Sequence, residues 1–243
     1  MTYCVAIRLD AGLVFASDSR TSAGVDDISI YSKMHRFETA PDRILVLLSA
    51  GNLATTQAVR NKLQRDLLNP DAERNLDSLL HLDEIANYIG DVSSEIQEGF
   101  VGQAEQNGGV MEASFILGGQ IAGQPLEVFL VYPQGNYIAA SPHKPFLQIG
   151  ETKYGKPILD RIIEPTISLE RAGRCALVSM DASMRSNLTV GPPIELLIYR
   201  ADSLEIEREC RFEENDPYLR ALSESWADGL QRVFMELPRF EWE

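Results

Sequence analysis

Thr2 is followed by the charged cluster Asp18-Ser19-Arg20-Thr21, then by Lys33, and then by Ser49-Ala50-Gly51. A threonine hydroxyl is a poor nucleophile by itself. Once Met1 is removed, the same residue also carries a free α-amine, which titrates near pH ~7.7–8 and can accept the hydroxyl proton at neutral pH. Thr2 would then be both nucleophile and base, and the amino terminus becomes the candidate active site. Taken singly the pieces are ordinary, because Met-Thr openings are common and most aspartates and lysines are solvated surface charges. Their order and context give them weight.

The elements that must position these residues can be read from the pattern. An apolar run over 3–9, a turn at Asp10-Ala11-Gly12 and a second apolar run over 13–17 predict a hairpin that carries Asp18 back beside Thr2. Further strands are expected at 30–38 and 43–50, followed by helices over 52–68 and 82–106 with stops at Asn69-Pro70-Asp71 and Asn107-Gly108-Gly109. A second strand block covers 112–119, 126–132, 136–140 and 146–149. Helices at 153–163 and 168–186, strands at 194–200 and 205–212 and a helix at 216–236 complete the chain. Leu169, Ala172, Ala176, Met180 and Met184 keep helical spacing and read as core. Blocks of strands flanked by helix pairs predict an α+β fold of two stacked sheets between helical layers, in one domain over 1–243.

The spacing resembles the proteasome β-type subunits and related bacterial peptidase chambers, a family of N-terminal nucleophile hydrolases. Counted from Thr2, the family's Asp-Ser-Arg-Thr run falls on Asp18-Ser19-Arg20-Thr21, and its lysine, with a slip of one residue, on Lys33. Its oxyanion glycine falls on Gly51, in Ser49-Ala50-Gly51-Asn52-Leu53-Ala54-Thr55-Thr56-Gln57. Gly150-Glu151-Thr152-Lys153-Tyr154-Gly155-Lys156-Pro157 and Arg185-Ser186-Asn187-Leu188-Thr189-Val190-Gly191-Pro192-Pro193 look like the bacterial branch called Anbu, so the likeness spans nearly the whole chain. It implies a four-layer αββα sandwich, self-association into a ring or ring-like stack, and a peptide substrate.

The resemblance also implies roles. Lys33, held by Asp18, keeps a positive charge near the Thr2 hydroxyl and holds the amine closer to neutrality. Arg20 anchors the Asp18 turn, the Gly51 amide faces the oxyanion, and Thr21 and Ser49 line the substrate groove. Classical β subunits carry Gly-Ser-Gly and Arg-Asp-x-x-Ser-Gly in the two later segments. By position Glu151 replaces the first serine, Ser186 the aspartate and Thr189 the second serine. Ser186, Asn187 and Thr189 offer hydrogen bonds but no fixed negative charge, so a weaker tuning of the Thr2 amine is expected.

Composition narrows the remaining classes. With 22 basic against 36 acidic residues the net charge is −14 and the pI near 4.7, which argues against a nucleic-acid partner. Residues 201–243 hold twelve Asp or Glu against five Arg, read as a solvated face. Three cysteines, an odd number, suit a reducing compartment, and no export leader or spanning run is recognisable, so a cytoplasmic protein is expected. His35, His81 and His143 lack the spacing of a zinc site, and no dinucleotide fingerprint or Gly-x-Ser-x-Gly is present, so no metal or cofactor is expected. Cys4, two residues from Thr2 along one strand face, either lines the pocket or is simply buried. Phe240 and Trp242 in the tail, with the helices, are candidate contacts between copies.

Two other functions stay open from sequence. One is a non-catalytic assembly subunit that keeps the fold, motivated by the changed positions Glu151 and Ser186. The other is an amidase acting on small molecules with the same Thr2 chemistry. No unfoldase partner can be named.

Overall fold

The computed structural model describes residues 1–22, 28–107 and 110–242. Its first strand shows how the core is divided. In β1 (Tyr3–Leu9), Tyr3, Val5, Ile7 and Leu9 point to one face, where they pack with Leu159, Ala172, Ala176 and Met180. Cys4 and Ala6 point to the other face and meet Val46, Leu48 and Ile116. A strand covered on both sides reads as a continuous apolar run, which is why the sequence lacks a polar-apolar alternation here. Cys4 is therefore fully buried, its thiol donating to the Ser49 carbonyl at 3.7 Å, and it does not line the pocket.

The first sheet has the order β10-β1-β2-β11-β12, with β2 at Gly12–Asp18, β10 at Phe146–Gly150, β11 at Ile194–Arg200 and β12 at Ile206–Phe212. All of its pairings are antiparallel, with Cys4 opposite Ser17 and Ile194 opposite Asp18. The second sheet runs β5-β6-β7-β8-β9, comprising β5 (Met34–Arg36), β6 (Arg43–Gly51), β7 (Ala113–Ile121), β8 (Glu127–Val131) and β9 (Tyr137–Ala139), again antiparallel. A short ribbon pairs β3 (Arg20–Ser22) with β4 (Ile28–Ile30).

Among the described residues there are five helices: α1 (Leu53–Leu68), α2 (Leu82–Asn107), α3 (Lys156–Ile162), α4 (Leu169–Ser186) and α5 (Pro217–Met235). One apolar cluster joins the first sheet to α3 and α4. A second joins Leu45 and Leu47 of β6 to Val59, Leu63, Ile85 and Ile89 of α1 and α2. A third is built from residues of both sheets. Helix starts follow capping chemistry: the Asn52, Ser168 and Asp216 side chains accept from backbone N–H groups of the first turns of α1, α4 and α5. Met184 is only partly buried, whereas Leu169, Ala172, Ala176 and Met180 are core.

The expected strand over 30–38 is interrupted. The chain leaves the ribbon after Ile30 and rejoins the second sheet at Met34, and the break at 31–33 turns Lys33 inward, where it is 6% exposed. The helix expected from 153 begins at Lys156, after Gly155. Gly108 and Gly109, named as a helix stop, lie outside the described residues. No helix among the described residues is long and apolar enough to cross a membrane.

Candidate active site

The hairpin of β1 and β2 ends with Thr2 and Asp18 side by side, because the register that pairs Cys4 with Ser17 leaves Asp18 next to the start of β1. The Tyr3 N–H donates to Asp18 Oδ1 at 3.0 Å and the Gly191 N–H to Asp18 Oδ2 at 3.2 Å. The Lys33 ammonium completes the carboxylate's shell, donating to Oδ1 at 2.7 Å and to the Arg20 carbonyl at 2.6 Å. Burial pushes the Asp18 carboxyl above its ordinary range, and Lys33 and the two amides pull against that shift.

Lys33 and Thr2 both line a cavity of about 650 Å³, with Thr21, Ser49 and Gly51 on its walls. Gly51 sits at φ +114 where β6 hands over to α1, and a Cβ there would lie 2.3 Å from the Glu112 carbonyl, so only glycine fits. On the opposite wall Gly150 has φ +82, and its missing Cβ would lie 1.9 Å from the Thr2 carbonyl. That carbonyl accepts from the Glu151 N–H at 2.6 Å. Gly150 thus lets the backbone approach Thr2 closely, while Gly51 lets the end of β6 pass close to Glu112.

The chain's amine belongs to Met1, which also lines the cavity. Burial and the Lys33 charge hold this amine below its usual value, while Asp18 and Glu151 pull it back up. Glu151 is 5% exposed and its carboxylate accepts from Asn187 Nδ2 at 2.9 Å. Asn187 Oδ1 in turn accepts from the Thr189 hydroxyl at 2.6 Å and from the Thr189 N–H at 3.0 Å. A buried acidic side chain, that of Glu151, therefore acts on the amine, while Asn187 and Thr189 add hydrogen bonds behind it. Ser186 is exposed at the end of α4 and makes no side-chain hydrogen bond among the described residues.

Arg20 turns away from the cavity. Its guanidinium donates to the Leu188 carbonyl at 3.0 Å and lies 3.6 Å from Glu214, while its backbone carbonyl receives Lys33. It braces the 188–191 loop that delivers the Gly191 amide to Asp18, so its part is positional.

Several residues near the site escape a reading of the sequence. His35 contacts the Ser49 hydroxyl at 3.2 Å, and burial together with Arg60 holds its imidazole down at about 4, so it is neutral at pH 7. Leu53, Thr56, Gln57 and Arg60 face the same cavity from α1. Their spacing of three, four and seven residues is the only signal that could have found them. Glu195 accepts from the hydroxyls of Ser17, Ser19 and Ser32 at 3.4, 3.4 and 2.8 Å, tying the segment before Lys33 to β11. Thr21 Oγ1 is buried without a hydrogen-bond partner among the described residues. Among the described residues no group of three or more His, Cys, Asp or Glu is placed to hold a metal ion.

No protein-family model matches the chain. It is 23% identical over 217 residues to a proteasome subunit beta of Haloferax volcanii, covering 87% of this chain and 79% of that one. Anbu (ancestral beta-subunit) from Yersinia bercovieri has the same fold with a TM-score of 0.91, at 44% identity over 98% of both chains. The structure described as the helical assembly of the Anbu complex from Pseudomonas aeruginosa matches at 0.91 and 43% identity, over 98% of both chains. An Anbu Gly-1 mutant from Hyphomicrobium sp. strain MC1 matches at 0.91 and 42% identity, over 99% of this chain and 100% of that one. With this likeness running from end to end, the chain belongs to the Anbu family of proteasome β-subunit relatives.

Proposed function

We propose that this protein is a threonine-type peptidase subunit that hydrolyses peptide bonds with Thr2 after removal of Met1, within a homo-oligomer. The observation that carries the reading is the buried Lys33–Asp18 pair at 2.7 Å, in the wall of the cavity that Thr2 and Gly51 also line. Thr2 Oγ attacks the scissile carbonyl while its own amine takes the hydroxyl proton. The C–N bond breaks as that proton passes to the leaving amine, and water then hydrolyses the Thr2 ester in a second cycle of the same base. Lys33 stabilises the attacking oxygen, and the Gly51 amide donates to the oxyanion. Thr21 and Ser49 bind the substrate, and Arg20, Asn187, Thr189 and Glu151 hold the frame. No metal or cofactor is invoked.

The same reading takes the fold as one domain and as the four-layer αββα sandwich of N-terminal nucleophile hydrolases. Three apolar clusters, helix-on-sheet, sheet-on-sheet and sheet-on-helix, support it. Oligomerisation is supported by α5, which has no buried residue and exposes Leu230, Val233, Phe234 and Met235, and by the assembled Anbu relative. Free cysteines at 4, 175 and 210 suit a reducing, cytoplasmic setting. A second reading, an assembly subunit without efficient hydrolysis, draws on Ser186 standing away from the site.

Intact mass and a threonine-directed electrophile decide between them. The expected result is loss of Met1 and modification of Thr2, with cleavage of acylated peptides abolished in Thr2→Ala. Retention of Met1 in the assembled protein, or equal signals from parent and Thr2→Ala, would refute the peptidase.

A further inference from the structure

The walls of the Thr2 cavity are chemically one-sided, and this bears on substrate choice, on the assumption that Thr2 is the nucleophile. Among the described residues, Lys33, Arg60 and His35 contribute basic side chains to its lining, and no aspartate or glutamate does. Acids around it among the described residues are engaged or displaced, Glu195 by the Ser32 hydroxyl. Asp18 is taken up by Lys33 and two amides, Glu151 by Asn187, and Glu112 lines the adjoining recess beyond Gly51. The contrast is sharp in a chain whose net charge is −14.

Lys33 already has its counter-charge in Asp18, so it is Arg60 that faces the cavity without an acidic partner among the described lining residues. Its guanidinium donates to the Asn61 side chain at 2.9 Å, which leaves further N–H donors for a ligand. His35 adds a neutral imidazole against the Ser49 hydroxyl, and Gln57 an amide one turn before Arg60 on α1. Thr21 Oγ1, buried and without a partner among the described residues, adds a hydroxyl that an incoming acceptor would satisfy. A hydrocarbon side chain in this cavity would displace water from these groups without replacing its hydrogen bonds, whereas a carboxylate offers an acceptor for several of them.

From this arrangement we infer that the cavity selects peptides with an acidic side chain, glutamate or aspartate, on the residue whose carbonyl Thr2 attacks, and that Arg60 is the residue that sets the preference. The carboxylate enters between Arg60 and the His35–Ser49 pair. Arginine is suited to this part because its planar fork meets a carboxylate with two parallel N–H donors. The acidity of the molecule as a whole slows the approach of such peptides at low salt, so the preference is read in the bound state and not in the encounter.

Three acylated peptide epoxyketones, identical except for Glu, Leu or Arg beside the reactive group, test this on the full-length protein by the rate of Thr2 modification. The Glu compound is expected to react about two- to fivefold faster than the Leu compound, the scale of a partly solvated ion pair, with Arg slowest. Arg60→Ala should erase the Glu advantage, and Arg60→Glu should place Arg ahead of Glu. Thr2 modification at equal rates by all three, or a Glu advantage that survives Arg60→Ala, overturns the inference while leaving the nucleophile in place. If no compound modifies Thr2, the peptidase reading falls. Fluorescence anisotropy of the corresponding labelled peptides on the Thr2→Ala protein then decides the pocket alone: tighter binding of the Glu peptide, lost in Arg60→Ala, upholds it, and equal or weaker binding overturns it.

Discussion

Separating Lys33 from Asp18 is the perturbation whose cost the geometry specifies most closely. The two charges lie 2.7 Å apart, with side-chain exposures of 8% and 0%. At an effective dielectric of about 20 their attraction is about 6 kcal/mol, most of it offset by the cost of taking both ions from water. Removing one partner forfeits the attraction but keeps the other ion's desolvation, so Lys33→Met and Asp18→Asn should each cost about 3–5 kcal/mol. Asp18→Asn leaves the ammonium with neutral acceptors only, the Arg20 carbonyl and an amide oxygen, and Lys33→Met leaves a carboxylate with two amide donors. The double variant buries no unpaired charge, so it should cost no more than the worse single variant. The coupling energy is then about 3 kcal/mol. Urea unfolding of all four proteins, at two protein concentrations to separate assembly from folding, measures it. A double variant whose cost equals the sum of the singles within about 0.5 kcal/mol would show that the charges do not meet, and would remove the observation on which the peptidase reading rests.

Gly150→Ala should displace Thr2, since the new Cβ would lie 1.9 Å from its carbonyl. Electrophile labelling is expected to fall by about a hundredfold, the scale of a 1 Å misplacement. Gly123→Ala, at φ +76 with nothing within 4 Å, is the control that should cost about 1–2 kcal/mol of backbone strain without touching labelling. Glu151→Gln removes a charge that raises the Met1 amine and stands on the residue hydrogen-bonded to the Thr2 carbonyl, so with Thr2 as the terminus the acid limb of the pH–rate profile should move to lower pH. An unmoved limb would take Glu151 out of that role. His35 titrates at about 4 in the fold against 6.5 unfolded, so the unfolded chain binds its proton first and stability falls as pH drops from about 6.5 to about 4. The full shift would be worth about 3 kcal/mol, and partial solvent access reduces this to about 1–2 kcal/mol. A His35→Gln variant should flatten that window in urea titrations, and an unchanged slope would refute it.

Much of the fold is legible because its signals are local. The hairpin of β1 and β2 follows from two apolar runs about one turn, and α4 from a capping serine at 168 and an apolar stripe ending near Met184. Where the sequence pattern extends 30–38 as one strand, the structure breaks it at 31–33, because burying Lys33 against Asp18 outweighs continued pairing. No propensity in Tyr31-Ser32-Lys33 encodes that, since the partner lies fifteen residues away and is reached only through the tertiary fold.

The sequence alone determined which residues could do chemistry: Thr2, Asp18, Lys33 and Gly51 in order, on a chain of net charge −14. The tertiary structure decided which side chains serve them. It buried Glu151 beside the amine and left Ser186 in solvent, although both stood in the sequence as changed positions of the family pattern. It turned Arg20 outward to brace a loop, and gathered His35 and Arg60 from separate elements around one cavity. The physical reason is that nucleophile chemistry is carried by residue type and spacing, whereas burial, charge pairing and the direction of a side chain arise only when distant segments pack.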